Sequence, residues 1–484
     1  MHKNNIIKSK KTFSKNFITL ISGTIGTYIF PILFSPFLTR IYSPDDFTLF
    51  AIYMTIVQIV SIVATLKYEL GIPLVQDREE RLDLFRLSIF NSILISFLSF
   101  IIIHFYMFLS DNISENINML KYYIPIGIFL TSLFHHAFYN WLLYRKFFKY
   151  ISISKIVYGF VYAILPILVF KILNIKDFKY LIISHQIGVS LGLLCILFSF
   201  SKNKFLSNLY LFFSFRLNDI LITAKKYKKY LLFSSPSNFI NLASIWSPII
   251  FIWYFFEPVY ASLFFLAHRA INLPFMLLGH SIGKIFYSEA SQNISQGTFA
   301  DSVLKYFKLL LHIAIPFLFI AIFLSPALFD VIYSSDWSES GVITQILAPW
   351  LFFTFLASPL STIPTILYKQ EIEFKFQLLL LFMRIISLIL GILISDNLYT
   401  SLILFSSISA FLWMLYLSYI FKISDISPNK VISVCLSDIN EYLMIGIVAL
   451  LISQLLSNPI SIMICSIPLF CYILFSLIIS IKKI

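Results

Sequence analysis

Long apolar runs, each interrupted by very few charges, follow one another along this chain and are joined by short polar segments. Fourteen runs are long enough to cross a bilayer: 17–39, 48–66, 86–109, 121–143, 151–173, 180–200, 230–255, 260–283, 305–328, 341–367, 376–395, 398–421, 440–456 and 459–481. A helix rising 1.5 Å per residue needs about 20 apolar residues to traverse the hydrocarbon core. The pattern predicts an all-α polytopic membrane protein with about 14 transmembrane helices, and a count of 12 is also compatible with it. Little chain is left for a water-soluble domain, so transport across lipid is the expected class of function.

Charge placement sets the orientation. With a cytoplasmic N-terminus, roughly 29 of the 36 Lys and Arg fall on the cytoplasmic side, which is the positive-inside pattern. Arg40, Lys121, Lys171, Lys176 and Lys179 fall outside, Arg269 and Arg384 lie within spans, and Lys482 and Lys483 mark a cytoplasmic C-terminus. The first run is longer than a signal-peptide core and lacks a small-x-small cleavage pattern, so it reads as retained. A net charge of +13 does not signal nucleic acid here, because the cations lie in short joints and form no continuous stripe. At 12% charged residues and 59% hydrophobic ones, a soluble fold is excluded. Cys195, Cys435, Cys465 and Cys471 form no CxxC pair and read as small hydrophobes.

The longest joint, 201–229, is basic and ends in Lys225, Lys226, Lys228 and Lys229. Its stretch LSNLYLFFSF has the character of an interfacial amphipathic helix. It divides the chain into an N-terminal six-helix bundle (1–200), a linker (201–229), a second six-helix bundle (230–421) and a C-terminal helix pair (422–484). The halves echo each other. YSPDDFTLFAIY from Tyr42 resembles FEPVYASLFFLA from Phe256, and LLYRKFFK from Leu142 resembles ILYKQEIEFK from Ile366. Equivalent positions lie on the same side of the membrane, as in a parallel repeat.

Enzyme signatures are missing. GHSIGKI from Gly279 is one residue short of a phosphate-binding loop and ends in Ile, and there is no HExxH or GxSxG. His135 and His136 are adjacent, hence about 100° apart on a helix, and read as interior polar residues with no metal site. No cofactor is expected, and the chain does not read as an enzyme. Ser43-Pro44-Asp45-Asp46 has the form of a well-made helix start. Gly23, Gly26, Pro31 and Pro36 mark a first helix that bends or packs closely. Lys67 and Glu69 read as interfacial anchors.

Arg269 is the leading site candidate. As the tenth residue of its span it lies about 14 Å in. There an arginine costs at least ~2.5–3.5 kcal/mol, so it should face a wet or paired interior. Pro274, five residues on, removes a backbone donor and frees a carbonyl beside it. A guanidinium binds phosphate or carboxylate through a planar fork, which suits an anionic substrate. Arg384, roughly 12 Å into its span, is either a second lining cation or a snorkelling one. His268 and His280 read first as satisfied interior histidines, His268 being carried as a candidate substrate residue. Tyr28, Tyr139 and Tyr158 are candidate stacking surfaces for sugar rings.

Two blocks carry a resemblance. SPFLTRIYSPDDFTLFAIY followed by ATLKYELGIPL, and LAHRAINLPFMLLGHSIGKIFYSEAS, resemble Wzx-type O-antigen and polysaccharide flippases of the multidrug/oligosaccharidyl-lipid/polysaccharide exporter superfamily. Thr48 and Gly71 stand where that family often has Gly and Ala. The resemblance implies two six-helix bundles around a central cationic cavity, plus two C-terminal helices. The implied substrate is an undecaprenyl-diphosphate-linked oligosaccharide, and the implied place is the bacterial inner membrane with both termini cytoplasmic. Membrane lipids, a polysaccharide polymerase and chain-length machinery are the implied partners. Arg269 stands where relatives place a basic residue; Arg384 is a weaker correspondence.

Three alternatives frame this expectation. A membrane-embedded polymerase or ligase needs a large outward loop, and the longest here, near Ser110 to Leu120, is about a dozen residues. A drug or cation exporter should carry acids buried in its spans, and none is evident. A scaffold has no use for mid-span arginines.

Overall fold

The computed structural model describes residues 2–109, 115–199, 217–293, 298–367, 369–456 and 458–482. The proposed interfacial stretch 206–215, part of the Ser110 to Leu120 joint, and the side chains of Cys471, Pro274 and His280 lie outside the described part. Contacts divide the chain into two units, Met1–Trp246 and Ser247–Ile484.

In the first unit, α1 (His2–Ile41), α2 (Pro44–Ala64) and α3 (Arg78–Leu109) are followed by α4 (Glu115–Ser132). A π-turn at Leu133–Phe138 and a helical end at Tyr139–Tyr144 extend α4. Then come α5 (Phe148–Leu173), α6 (Lys179–Leu197) and the short α7 (Leu217–Lys226). The next helix, α8 (Ser235–Phe255), carries the boundary between the units. The second unit holds α9 (Val259–Asn293), α10 (Phe299–Phe323), α11 (Ser325–Tyr333), α12 (Ser338–Ala357), α13 (Gln370–Ser395), α14 (Leu398–Ile423), α15 (Pro428–Leu455) and α16 (Pro459–Lys482).

Among the described residues, eleven helical segments are long and apolar enough to cross a membrane, and the bent pair Pro428–Ile439 and Tyr442–Leu455 makes a twelfth. The long helices α9 and α16 stand at the two remaining predicted positions. The sequence did not foresee α11. Predicted run 305–328 breaks at Leu324, because Pro326 lacks a donor for the preceding turn and sits well at a helix start. Ser325 Oγ fixes that break by donating to the carbonyls of Ala321 at 2.6 Å and Gly341 at 2.8 Å.

Local chemistry explains several joints. Ser43 caps α2: its Oγ accepts from the Asp46 N–H, Asp46 Oδ2 accepts from the Ser43 N–H at 2.9 Å, and Pro44 occupies the first turn. That is the helix start the sequence described. Close packing also follows from composition, since lipid gives helices no hydrophobic reason to associate and small residues let backbones meet. α1 lies along α5, and α5 along α6. A Cβ added at Gly159 would come within 3 Å of the Gly26 and Thr27 carbonyls of α1, and one at Gly26 would meet the Ile156 side chain. Ser152 Oγ donates to the Thr19 carbonyl across the same seam.

In the second unit, α12 packs on α9, α10, α11 and α14, so it forms the middle of the bundle. α15 is fastened to α10 by Asp438, which is fully buried. One Asp438 oxygen lies 3.0 Å from His312 Nδ1 and the other 3.9 Å from Lys308 Nζ. The sequence placed Asp438 in a joint ahead of residue 440 and recognised no buried acid. The structure corrects this: α15 begins at Pro428 and carries Asp438 beneath α10.

Gly159→Leu should lower the thermal unfolding midpoint of detergent-solubilised protein, with overpacking costing ~1–3 kcal/mol. Gly279→Ala, whose Cβ meets nothing nearer than 3.7 Å, should leave the midpoint unchanged or raise it slightly. Asp438→Ala should cost about 1.5–3 kcal/mol in the same assay, the usual worth of a hydrogen bond to a charged group.

Candidate functional site

The second unit gathers its polar side chains around Trp350 of α12. His268 of α9 is 2% exposed and stacks on Trp350 at 5.4 Å and 14°, with Phe264 behind it at 6.1 Å and 5°. Arg384 of α13 is also 2% exposed. Its guanidinium carbon lies 4.8 Å over the Trp350 ring and 5.4 Å over Phe405, and its Nε donates to Ser409 Oγ of α14 at 2.9 Å. Arg384 therefore points into the bundle, and the snorkelling alternative falls. Burying its charge is made tolerable by two aromatic faces and a hydroxyl acceptor.

Arg269 is half-buried, one residue beyond His268, with its guanidinium carbon 5.9 Å from the Phe265 ring. Asn272, Met276 and Gly279 follow at spacings of three or four residues, so they share one face of α9 with it. Those three residues meet Leu351, Thr354 and Phe355 of α12, and Ser358 just beyond it, around a recess of about 50 Å³. Thr354 Oγ1 donates to the Trp350 carbonyl at 2.8 Å, which ties the recess to the tryptophan cluster. One helix, α12, thus carries both the ring that meets Arg384 and His268 and a hydroxyl beside Asn272. Together these groups offer cations and polar atoms to an anionic, hydroxyl-rich ligand.

The three tyrosine candidates lie in the first unit, Tyr28 on α1, Tyr139 on the helical end that extends α4 and Tyr158 on α5. Tyr158 is buried and stacks on Tyr162 at 6.0 Å and 6°, with His135 and His185 edge-on at 5.5 and 5.8 Å. Tyr139 carries the Lys155 ammonium 4.7 Å over its ring, and Lys155 also reaches Thr24 Oγ1 at 3.5 Å. Tyr28 is half-buried on α1. The larger groove, about 440 Å³ between α3 and α4, is lined by residues such as Phe97, Phe100, Ile126 and Phe129 and holds no charged side chain.

The sequence missed a second polar cluster in the first unit. Lys67 and Glu69, read as anchors, are both buried, at 5% and 0% exposure. After α2 the chain turns through left-handed Leu66 and Lys67, with φ of 52° and 62°. That reversal draws the turn Tyr68–Gly71 beneath α3 and the end of α4. Glu69 Oε1 then stands 3.7 Å from Lys67 Nζ and 3.9 Å from His136 Nδ1. Burial pushes the Glu69 carboxyl above the usual glutamate range while Lys67 opposes it, and burial pulls the Lys67 ammonium down. The adjacent charges at 67 and 69 were legible; their depth was not.

Comparison with known proteins adds a partial family match and a fold. A family model described as "Polysaccharide biosynthesis protein" matches residues 13–247, ending one residue beyond the first unit. No curated protein matches the chain. Among solved structures, the lipid II flippase MurJ in an inward closed conformation is similar with a TM-score of 0.74 at 17% identity, over 96% of this chain and 99% of that one. An inward-facing multidrug resistance MATE family transporter of the MOP superfamily gives 0.66 at 10%, over 84% and 98%. A MOP superfamily transporter from Pyrococcus furiosus gives 0.55 at 10%, over 84% and 94%. At such identities these likenesses establish the fold alone. The family model itself covers a little under half of the chain, so what is shown is the fold together with that partial match.

Proposed function

We propose that this chain moves undecaprenyl-diphosphate-linked O-antigen or other polysaccharide repeat units from the cytoplasmic to the outer leaflet of a bacterial inner membrane, both of its termini being cytoplasmic. The observation that carries the reading is a mid-span cluster of two arginines and a histidine: Arg384 and His268 share the Trp350 ring, and Arg269 follows His268 on α9. Such charges are costly in lipid and mark ligand paths. The hard part of flipping is the headgroup, because sugars and a diphosphate cannot be desolvated in hydrocarbon, whereas the lipid tail stays in the bilayer.

In this mechanism, Arg269 and Arg384 meet the diphosphate, and Asn272, Thr354 and Ser358 satisfy hydroxyls of the sugar nearest to it. The headgroup site opens to one face and then the other by alternating access. A potential negative inside favours anion exit by ~2.3 kcal/mol per charge per 100 mV. The reading makes the chain a transporter and not an enzyme; the polymerase and chain-length machinery would act on what it delivers. The buried acids do not favour a cation exporter, since Glu69 and Asp438 each already stand within 4 Å of basic nitrogens.

Loss of a charge-assisted contact is worth ~1.5–3 kcal/mol. Arg269→Ala should therefore cut surface polysaccharide about ten- to a hundredfold at unchanged membrane level, with Arg269→Lys keeping part of it. Normal surface glycan in the alanine variant removes the residue from the site. Deletion of the gene should leave lipid-linked repeat units accumulated on the inner leaflet, measured by leaflet-selective labelling; their absence counts against flipping altogether.

A further inference from the structure

On α3, Ile93, Phe97 and Phe100 recur at spacings of four and three residues, so they share one face of the helix. Tyr122, Pro125 and Ile126 do the same on α4. Between the two faces runs the apolar groove of about 440 Å³. Its floor is made of small or compact groups, the buried Ser96 and Pro125, while Phe97, Tyr122 and Ile126 are exposed and form its walls. Ser96 is 7% exposed and its Oγ has no hydrogen-bond partner, although Ser88 and Ser92, earlier on the same helix, each donate to a carbonyl four residues back. A buried hydroxyl left open marks a place where something outside the chain belongs.

Charge stands at only one end of the groove. There the Tyr122 ring lies 6.2 Å from Phe100 across the two helices, and the Lys121 ammonium is 5.1 Å from the centre of the Tyr122 ring. His104, one turn beyond Phe100, has its ring 5.6 Å from that of Phe100. Lys121 follows the start of α4 at Glu115 by about 9 Å, and His104 precedes the end of α3 at Leu109 by about 8 Å. The charge pattern of the chain places these helix ends outside, where lysines and aromatic rings sit at headgroup level. From this rim the groove descends about 10 Å, from Phe100 to Ile93. Among the described residues no acid forms an ion pair with Lys121.

We propose that the groove between α3 and α4 binds an anionic phospholipid of the outer leaflet, with its phosphate on Lys121 and one acyl chain lying between Phe97 and Ile126. A single ammonium above an apolar channel matches one negative charge above one hydrocarbon chain. A zwitterionic lipid brings its own cation to the same rim and gains less from the lysine. An isoprenoid diphosphate carries more charge than one lysine answers. A second copy of the chain pairing through this face would set two Lys121 ammoniums on the same side of the membrane. The site does not depend on the flippase reading, which places the substrate headgroup in the second unit.

The test uses full-length protein in vesicles of phosphatidylcholine that contain traces of phosphatidylglycerol with a diazirine in its acyl chain. Labelled positions are mapped by peptide mass spectrometry. Photoactivation should label residues 93–100 and 122–130 at least about fivefold more heavily than the same diazirine carried on phosphatidylcholine, the worth of one lysine near an anionic lipid. Lys121→Gln should bring the two probes to equal labelling. Ile126→Trp, which fills the groove from its exposed wall, should lower both. A preference for phosphatidylglycerol that persists in Lys121→Gln overturns the site, as does wild-type labelling in both variants at equal helical circular dichroism. Stronger displacement of the probe by undecaprenyl phosphate than by equal unlabelled phosphatidylglycerol overturns the choice of lipid. Cross-linking of one copy to another through these segments overturns it as well. Should Ile126→Trp fail to fold, Lys121→Gln still decides, because it changes one half-exposed side chain. If gene deletion leaves no lipid-linked repeat units behind, the flippase reading falls and the labelling still decides the groove.

Discussion

A charge inside a membrane-spanning bundle must be compensated by its immediate neighbours, because the hydrocarbon around the bundle supplies neither water nor counter-ions. That constraint organises this protein. Arg384 meets it with the Trp350 and Phe405 faces and the Ser409 hydroxyl. Asp438 meets it with His312 and Lys308, and Glu69 with Lys67 and His136. Each charge meets at least one group from a different helix, so each also fixes which elements lie side by side.

The second unit shows what this arrangement yields. α12 supplies a tryptophan to Arg384 and His268 and a hydroxyl to a recess, while α9, α13 and α14 bring the remaining groups to it. Chemistry for an anionic, sugar-bearing headgroup is therefore concentrated on one helix and its neighbours. In the first unit the titratable groups follow a different pattern. Histidines and tyrosines pack on one another in a buried row, and the strained turn after α2 presents an acid to one end of it.

Most helix positions were legible, because a bilayer leaves backbone groups no partner except within their own segment, and apolar length then identifies the spans. The Ser43 start was readable for the same kind of local reason, since a capping box closes over four residues. The small residues of the α1–α5 seam were visible as composition, though not their partner helix. α11 was hidden because the apolar run passes through Leu324 without a change in character, and only Pro326 signals the break.

By itself the sequence determined the approximate number and the order of the spans, the excess of cations in the joints of one side and the presence of arginines within spans. Those follow from rise per residue and transfer cost, which act on each segment separately. The tertiary structure alone decided that His268 and Arg384 share one indole ring, that Tyr158 is sealed among aromatics, and that Glu69 and Asp438 are buried next to histidines. These pairings join residues up to 126 positions apart, and apolar periodicity carries no record of which helix faces another. Steric fit and charge compensation choose among the alternatives only once the helices are packed.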